Sequence, residues 1–538
     1  MKRAKQEMVG SQGRTMGRAN GRNRAVTMAI ALLLVLGMTL SLAACGGASS
    51  SGDGANTLVY GSGDYTAINP ALYEHGEINA LLFAGMTGRD AENRVTPALA
   101  ETWTYDDTGT VWTFQLREGL TFHDGEPLTS EDVKFTLEAI LNPDNQSEIA
   151  TNYQDITDIQ CPDERTVVIT LSQYNAALPD YMSIGILPKH LLEGEDLATC
   201  DFNQHPVGAG PYKLVEWDRG QSITLEKFDG YYAGAPNIDT VVFKIIPDMD
   251  SRALQLESGD LDMAQISPKA AAQLADSQDV TVYHMETADY RAIAYNFGAD
   301  NVFSRHPELA NILSRAIDRD AIVEGVLLGE GYAAYSPLQA GPYVNEDVEH
   351  FAYDPGQVEA DLQAAGWTIG ATGYYEKDGE PLAFTITAMS NDSVRVDMAT
   401  LCAAQLQEIH VDAKAEALPE LDWAGQDCTI IGWGSPFDPD DHTYKVFTTD
   451  AGDNYTGYAN SEVDQLLLAA RTTALDDTRK DLYNQFQVAL TKQMPYTFLA
   501  YVNAQYGVRK GITGLTPETV LGHHGVGVFY NIAEWEIQ

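Results

Sequence analysis

The 538-residue chain carries 33 basic and 77 acidic residues, a net charge of −44, with 44% hydrophobic and 9% aromatic residues. That apolar content excludes a disordered chain, and the length exceeds what one core fills, so two or more lobes are expected. The acidic field repels polyanions, which argues against nucleic acid and for cationic or zwitterionic ligands, although diffuse surface acidity alone gives the same sign.

A basic segment ending at Arg24 precedes the apolar run Ala25–Leu40, the pattern of an export signal. The run also approaches bilayer-spanning length, so an uncleaved anchor is the other reading. Leu42–Cys45, "LAAC", resembles a bacterial lipobox, in which the cysteine is lipidated after cleavage before it. Residues 1–44 are therefore expected to be a lipoprotein signal peptide, with Cys45 the lipidation site. Residues 45–56, rich in Gly and Ser, are expected to form a flexible tether. Either way the body sits outside the cytoplasm, on the outer face of the cytoplasmic membrane. Cys161, Cys200, Cys402 and Cys428 remain, an even number that permits disulfides in an oxidising compartment. Cys161–Cys200 and Cys402–Cys428 are the economical pairs, and none has C-x-x-C spacing.

In the body, helical and strand patterns alternate without a repeat. Leu128–Leu141 reads as a helix capped by Thr129, with Asp132 completing a capping box. Asp354 caps a second helix that has Pro355 at its first position and Gly366 as its stop. Val463–Gln493 reads as two helices, the second starting near Asp477. Thr166–Leu171 and Ser222–Phe228 read as strands. The fold class is mixed α/β.

Several segments, in order, resemble the family 5 extracellular solute-binding proteins, the peptide/nickel group that serves ABC importers. They are Leu99–Leu137 ("LAETWTYDDTGTVWTFQLREGLTFHDGEPLTSEDVKFTL"), Val207–Tyr232, Val241–Met263, Leu309–Gly331 and Asn454–Arg471. The resemblance implies a two-lobed, periplasmic-binding-protein-like (Venus flytrap) fold with mixed sheets and an extra subdomain in lobe one. It places lobe one at 57–290 with the subdomain near 91–205, lobe two at 291–504, and a return to lobe one at 505–538. It also implies a monomer that closes on a small ligand between its lobes and presents it to permease subunits, with no permanent cofactor.

The stretch Ile430–Phe447, "IIGWGSPFDPDDHTYKVF", falls where the family's Gly-Trp turn borders the cleft. Peptide-binding members place an aspartate three residues after that tryptophan; here Pro436 stands there, and Asp438 is the nearest substitute. Trp433–Pro439 is similar instead to the nickel-binding branch, with Trp433 and Phe437 as an aromatic wall. The acids lack the spacing of a calcium loop and read as turn acids and caps ahead of a helix at Thr443. The resemblance also points to Tyr73, Glu74 and His75 at the lobe-one edge of the cleft, and to His523 and His524 in "LGHHGVGVF". His75, His523 and His524 are the expected nickel ligands, since imidazole nitrogen suits Ni²⁺. Adjacent histidines in a Gly-rich loop read equally well as solvated. Arg395 matches the family's contact to a ligand carboxylate; Arg291 lies at the lobe crossing, and Tyr501 matches a cleft tyrosine of peptide-binding members. The expected ligand is thus a nickel chelate, with Ni²⁺ as cargo, or a short peptide. No HExxH, G-x-S-x-G or phosphate-loop pattern supports catalysis. An extracellular hydrolase is the alternative from another class.

Overall fold

The computed structural model describes residues 56–73, 76–339, 341–475 and 477–538. The expected signal segment, the lipidation site Cys45, nearly all of the tether, and Glu74 and His75 lie outside the described residues.

Two mixed sheets organise the chain. The first has seven strands in the order Val280–Met285, Ala504–Arg509, Met263–Ile266, Thr57–Ser62, Thr240–Ile245, Ser222–Lys227 and Tyr212–Asp218. Thr57–Ser62 runs parallel to both neighbours, whereas the outer pairings are antiparallel. A separate four-stranded antiparallel sheet, Ala100–Tyr105, Val111–Leu116, Thr166–Leu171 and Ile156–Asp163, shares one apolar cluster with it. We call this unit lobe one.

The second sheet has six strands, Gly331–Ala333, Tyr496–Val502, Tyr290–Tyr295, Cys428–Trp433, Ala383–Met389 and Asp412–Leu418. Successive side chains of a strand alternate between faces, so a sheet covered on both sides needs an unbroken apolar run. Tyr290–Tyr295 meets that condition but for Arg291, whose charge is met by Asp289: Tyr290, Ala292 and Ala294 pack on one cluster and Ile293 and Tyr295 on another. Helices Glu308–Ser314, Pro355–Ala364 and Ser393–Glu408 cover one face, and Ser461–Arg471 with Asp477–Lys492 the other. This is lobe two.

The chain passes between the sheets twice, from Met285 to Tyr290 and from Val502 to Ala504. The crossings are tied to each other, as Thr287 Oγ1 donates to the Val502 carbonyl at 2.6 Å and Val502 N to the Asp289 carbonyl at 3.0 Å.

Local signals are realised as read. The helix Ser130–Leu141 is preceded by Thr129, whose N–H donates to Asp132 Oδ2 at 2.8 Å. Asp354 accepts from Gln357 N at 3.0 Å ahead of Pro355–Ala364. The expected disulfides are absent: all four cysteines are free thiols. Cys161 and Cys200 lean on the carbonyls of Ser130 and Leu197, and Cys402 and Cys428 are filler in the lobe-two core. Spacing in the chain permitted the pairs but could not orient them.

Candidate functional site

A cavity of about 390 Å³ lies between the lobes. Lobe one lines it with Tyr73, Glu77, Arg89, Asn152, Asp180 and Tyr181, and with the returning loop at His523; lobe two contributes Gly434–Ser435, Phe437–Asp438 and Asp441–His442. Most of the stretch Gly434–His442, though not Asp440, is therefore a wall of the cavity, and close approach explains its turn. A Cβ on Gly434 would stand 1.9 Å from the Ala288 carbonyl. The same glycine's carbonyl accepts from His523 N at 2.9 Å, and Ala288 N donates to Leu521 O at 2.8 Å. First crossing, cavity wall and returning loop are thereby stitched together.

The acids of this stretch include a turn acid, Asp438, whose Oδ1 accepts from Asp440 N at 3.0 Å, but none of them caps the helix. The helix does begin where expected, at Tyr444, but without a side-chain cap. Asp438 accepts both terminal nitrogens of Arg479, Nη1 to Oδ2 at 2.7 Å and Nη2 to Oδ1 at 2.6 Å. Asp440 accepts from Tyr181 of the opposite lobe at 2.5 Å, and Asp441 from Asn152 at 3.0 Å. Opposite them, Arg89 pairs with Asp180 at 2.8 Å while its guanidinium lies 3.6 Å from the centre of the Phe437 ring. Burial, with Asp438 adding its charge, lifts the Asp180 carboxyl to about 6 in spite of Arg89. Burial likewise raises Glu77, whose Oε1 accepts from Tyr60 at 2.7 Å. Of the lining acids, Asp180 is thus met by Arg89 and Asp438 by Arg479.

At the loop end the histidines carry the geometry. His523 is buried, not solvated, and its Nδ1–H donates to Asp289 Oδ1 at 2.8 Å. The same carboxylate accepts from Arg291, which explains why that arginine is buried at the crossing. A carboxylate on Nδ1 fixes the tautomer of the ring, with the proton on Nδ1. The ring centres of His523 and His524 are 3.8 Å apart. His524 keeps an exposed surface while its ring is crowded by charge. His523 first, then the loss of water around the ring itself and the charge of Arg395, hold its imidazole well below the ordinary range, so it stays neutral. Its backbone is left-handed, φ 55°, an uncommon conformation for a non-glycine residue and one that tends to gather at functional sites.

Arg395 sits at the start of the helix Ser393–Glu408, 8% exposed, with Nε 3.0 Å from Asp392. Its Nη2 has no hydrogen-bond partner among the described residues. Burial and the charge of Arg291 lower it to about 10, still a cation at neutral pH.

Other expected residues fall elsewhere. Trp433 backs the wall, its ring centre 5.5 Å from that of His442 and 6.3 Å from that of His523. Tyr501 is a core residue whose hydroxyl accepts from Gln339 N at 3.0 Å and donates to Ser336 O at 3.2 Å. Arg89, Asn152, Asp180 and Tyr181 were not singled out from the sequence, where no motif marks them. Among the described residues no group of three His, Cys, Asp or Glu side chains converges on a metal position, and no helix is long and apolar enough to cross a membrane.

The chain is similar throughout its body to proteins of one kind. The structure of NikZ from Campylobacter jejuni in complex with Ni(L-His) is 35% identical, with a TM-score of 0.86, covering 90% of this chain and 99% of that one. The structure of the oligopeptide-binding protein AppA from Bacillus subtilis in complex with a nonapeptide is 28% identical, with a TM-score of 0.82 and the same coverage. By sequence, the oligopeptide-binding protein AppA of Bacillus subtilis (strain 168) is 30% identical over 556 residues, 96% of this chain and 99% of its own length. The model of the bacterial extracellular solute-binding proteins, family 5, middle region, matches residues 94–455. The chain, with its two lobes around an interlobe cavity, therefore belongs to the family 5 extracellular solute-binding proteins of ABC importers.

Proposed function

We propose that this protein captures a nickel chelate of a small amino acid, with L-histidine as the chelator of choice, and presents it to its permease. It is a binding protein and not an enzyme, anchored outside the cell membrane through lipid on Cys45. The observation that carries the reading is the His523–His524 pair, one ring oriented by Asp289 and the other kept neutral, beside a buried guanidinium with a spare nitrogen. Neutral imidazoles are the form that ligates Ni²⁺, and a free Nη2 is suited to a chelator's carboxylate. His75 is proposed as a further ligand from lobe one. Support comes also from the likeness to the NikZ structure that contains Ni(L-His).

The 30% identity to an oligopeptide-binding protein favours a second reading, a short peptide without metal. Titration calorimetry with nickel plus L-histidine, and with a pool of di- and tripeptides, separates the two. The His523→Ala, His524→Ala double variant is expected to lose nickel–histidine binding by at least 100-fold, and Arg395→Ala by about tenfold. Wild-type protein that ignores nickel–histidine and binds peptides would replace the first reading by the second.

A further inference from the structure

Beside the cavity the lobes also meet through charge. Arg471, the last residue of the lobe-two helix Ser461–Arg471, is 0% exposed, and Asp440 is 1% exposed. Arg471 Nε lies 3.1 Å from Asp440 Oδ2 in its own lobe and 3.6 Å from Asp155 Oδ2 in the other. Its Nη2 donates to the carbonyls of Thr151 at 3.3 Å and Asn152 at 3.4 Å, and its own carbonyl accepts from Ala176 N at 3.0 Å. Tyr181 closes the group by donating to Asp440 Oδ2 at 2.5 Å. Arg471, Asp440 and Asp155 do not line the cavity; Tyr181 does.

We propose that Arg471 and Asp440 of lobe two, with Asp155 and Tyr181 of lobe one, form a clasp that sets the open–closed balance of the lobes whatever the ligand. These are positioning residues for binding. The inference rests on lobe closure, a property of the family reading, and not on the identity of the ligand.

The chemistry explains why such a clasp is reversible. With the lobes apart, Arg471 keeps Asp440 as its counter-ion and water fills the remaining sites. Closure strips that water and substitutes a second carboxylate, two carbonyls and a phenol. Desolvating an ion pair is costly, and it is repaid only when the remaining donors and acceptors are satisfied. Here Arg471 Nη1 and Asp440 Oδ1 have no hydrogen-bond partner among the described residues. The clasp thus returns part of the cost of closing and leaves the rest to the ligand. A complete network would hold the lobes shut and block release. A network lacking one member would bury an uncompensated group at each closure, opposing every ligand equally.

An apparent dissociation constant scales inversely with the closure-competent fraction, so weakening the clasp multiplies all constants by one factor. Tyr181→Phe and Asp155→Asn, both made in lobe one, keep the Arg471–Asp440 pair intact. They are expected to weaken nickel–histidine and the di- and tripeptide pool by the same factor, about tenfold. Paramagnetic relaxation enhancement from a spin label on lobe one to amides of lobe two, in ligand-free protein, senses the minor closed form and is expected to fall in both variants. Equal enhancement in variants and wild type, no enhancement in any of them, or a loss confined to one ligand would overturn the clasp. If wild type binds no nickel–histidine, that result counts against the proposed ligand alone, and the ligand-free measurement still decides the clasp.

Discussion

Replacing Asp438 separates a ligand contact from a structural ion pair. The residue lines the cavity, yet both its oxygens face Arg479 at 2.6 and 2.7 Å. Arg479 is 0% exposed and is held besides by the Ala470 carbonyl at 2.8 Å and the Tyr343 hydroxyl at 3.0 Å. Asp438→Ala leaves this guanidinium in place without its bidentate carboxylate. Removing one partner of a buried pair costs about 3–5 kcal/mol, because the other charge stays buried. For a lobe of roughly 200 residues each kcal/mol shifts the melting point by about 2–4 °C, so lobe two should melt about 10 °C lower. Replacing the pair together, Asp438→Leu with Arg479→Met, should recover part of that loss, since no charge is left behind. Differential scanning calorimetry of the two variants without ligand is the assay. An Asp438→Ala protein that melts like wild type but binds its ligand poorly would refute the ion-pair reasoning and return Asp438 to the ligand.

Two further outcomes are expected. His123 donates from Nε2 to Gly210 O at 3.1 Å and accepts Gly208 N on Nδ1 at 3.1 Å, and burial lowers its pKa from 6.5 to about 4. The unfolded chain takes up this proton below 6.5 and the folded protein only near 4. Stability should therefore be intact above pH 6.5 and decline by at most about 3 kcal/mol on the way to pH 4; melting curves of wild type and His123→Gln with the same pH slope would contradict this. Cys45→Ala should release the protein from the membrane fraction, and a variant that stays there with Met1 at its N-terminus would show a spanning anchor instead.

What was legible in the sequence follows the range of the interaction. Thr129 with Asp132, Asp354 with Gln357 and the break ahead of Asp477 depend on groups a few residues apart, and each was readable before the fold was known. The acids at 438–441 depend on Arg479, Tyr181 and Asn152, which stand 41, 259 and 289 positions from their partners. Such a stretch reads locally as turn acids, and nothing short of the fold could show that its carboxylates are paired. His523 was ambiguous for the same reason, because the carboxylate that buries and orients it lies 234 positions earlier.

In so acidic a chain the scarce cations become the informative residues. Among the described residues six arginines are buried: Arg252, Arg291, Arg319, Arg395, Arg471 and Arg479. A guanidinium brings five N–H donors into the interior, and an unmet donor there costs free energy, so a finished core uses all of its terminal nitrogens. Arg319 does so within its own lobe, Nη1 against the carbonyls of Ser314, Ile317 and Phe351 and Nη2 against the Ser314 hydroxyl, and Arg479 does so with Asp438. Arg395 Nη2 and Arg471 Nη1 are buried terminal nitrogens with no hydrogen-bond partner among the described residues. One stands beside the histidine pair and the other at the seam between the lobes. These are two of the places where the fold leaves a buried donor unmet, and they fall where a guest has to be admitted and the lobes have to part.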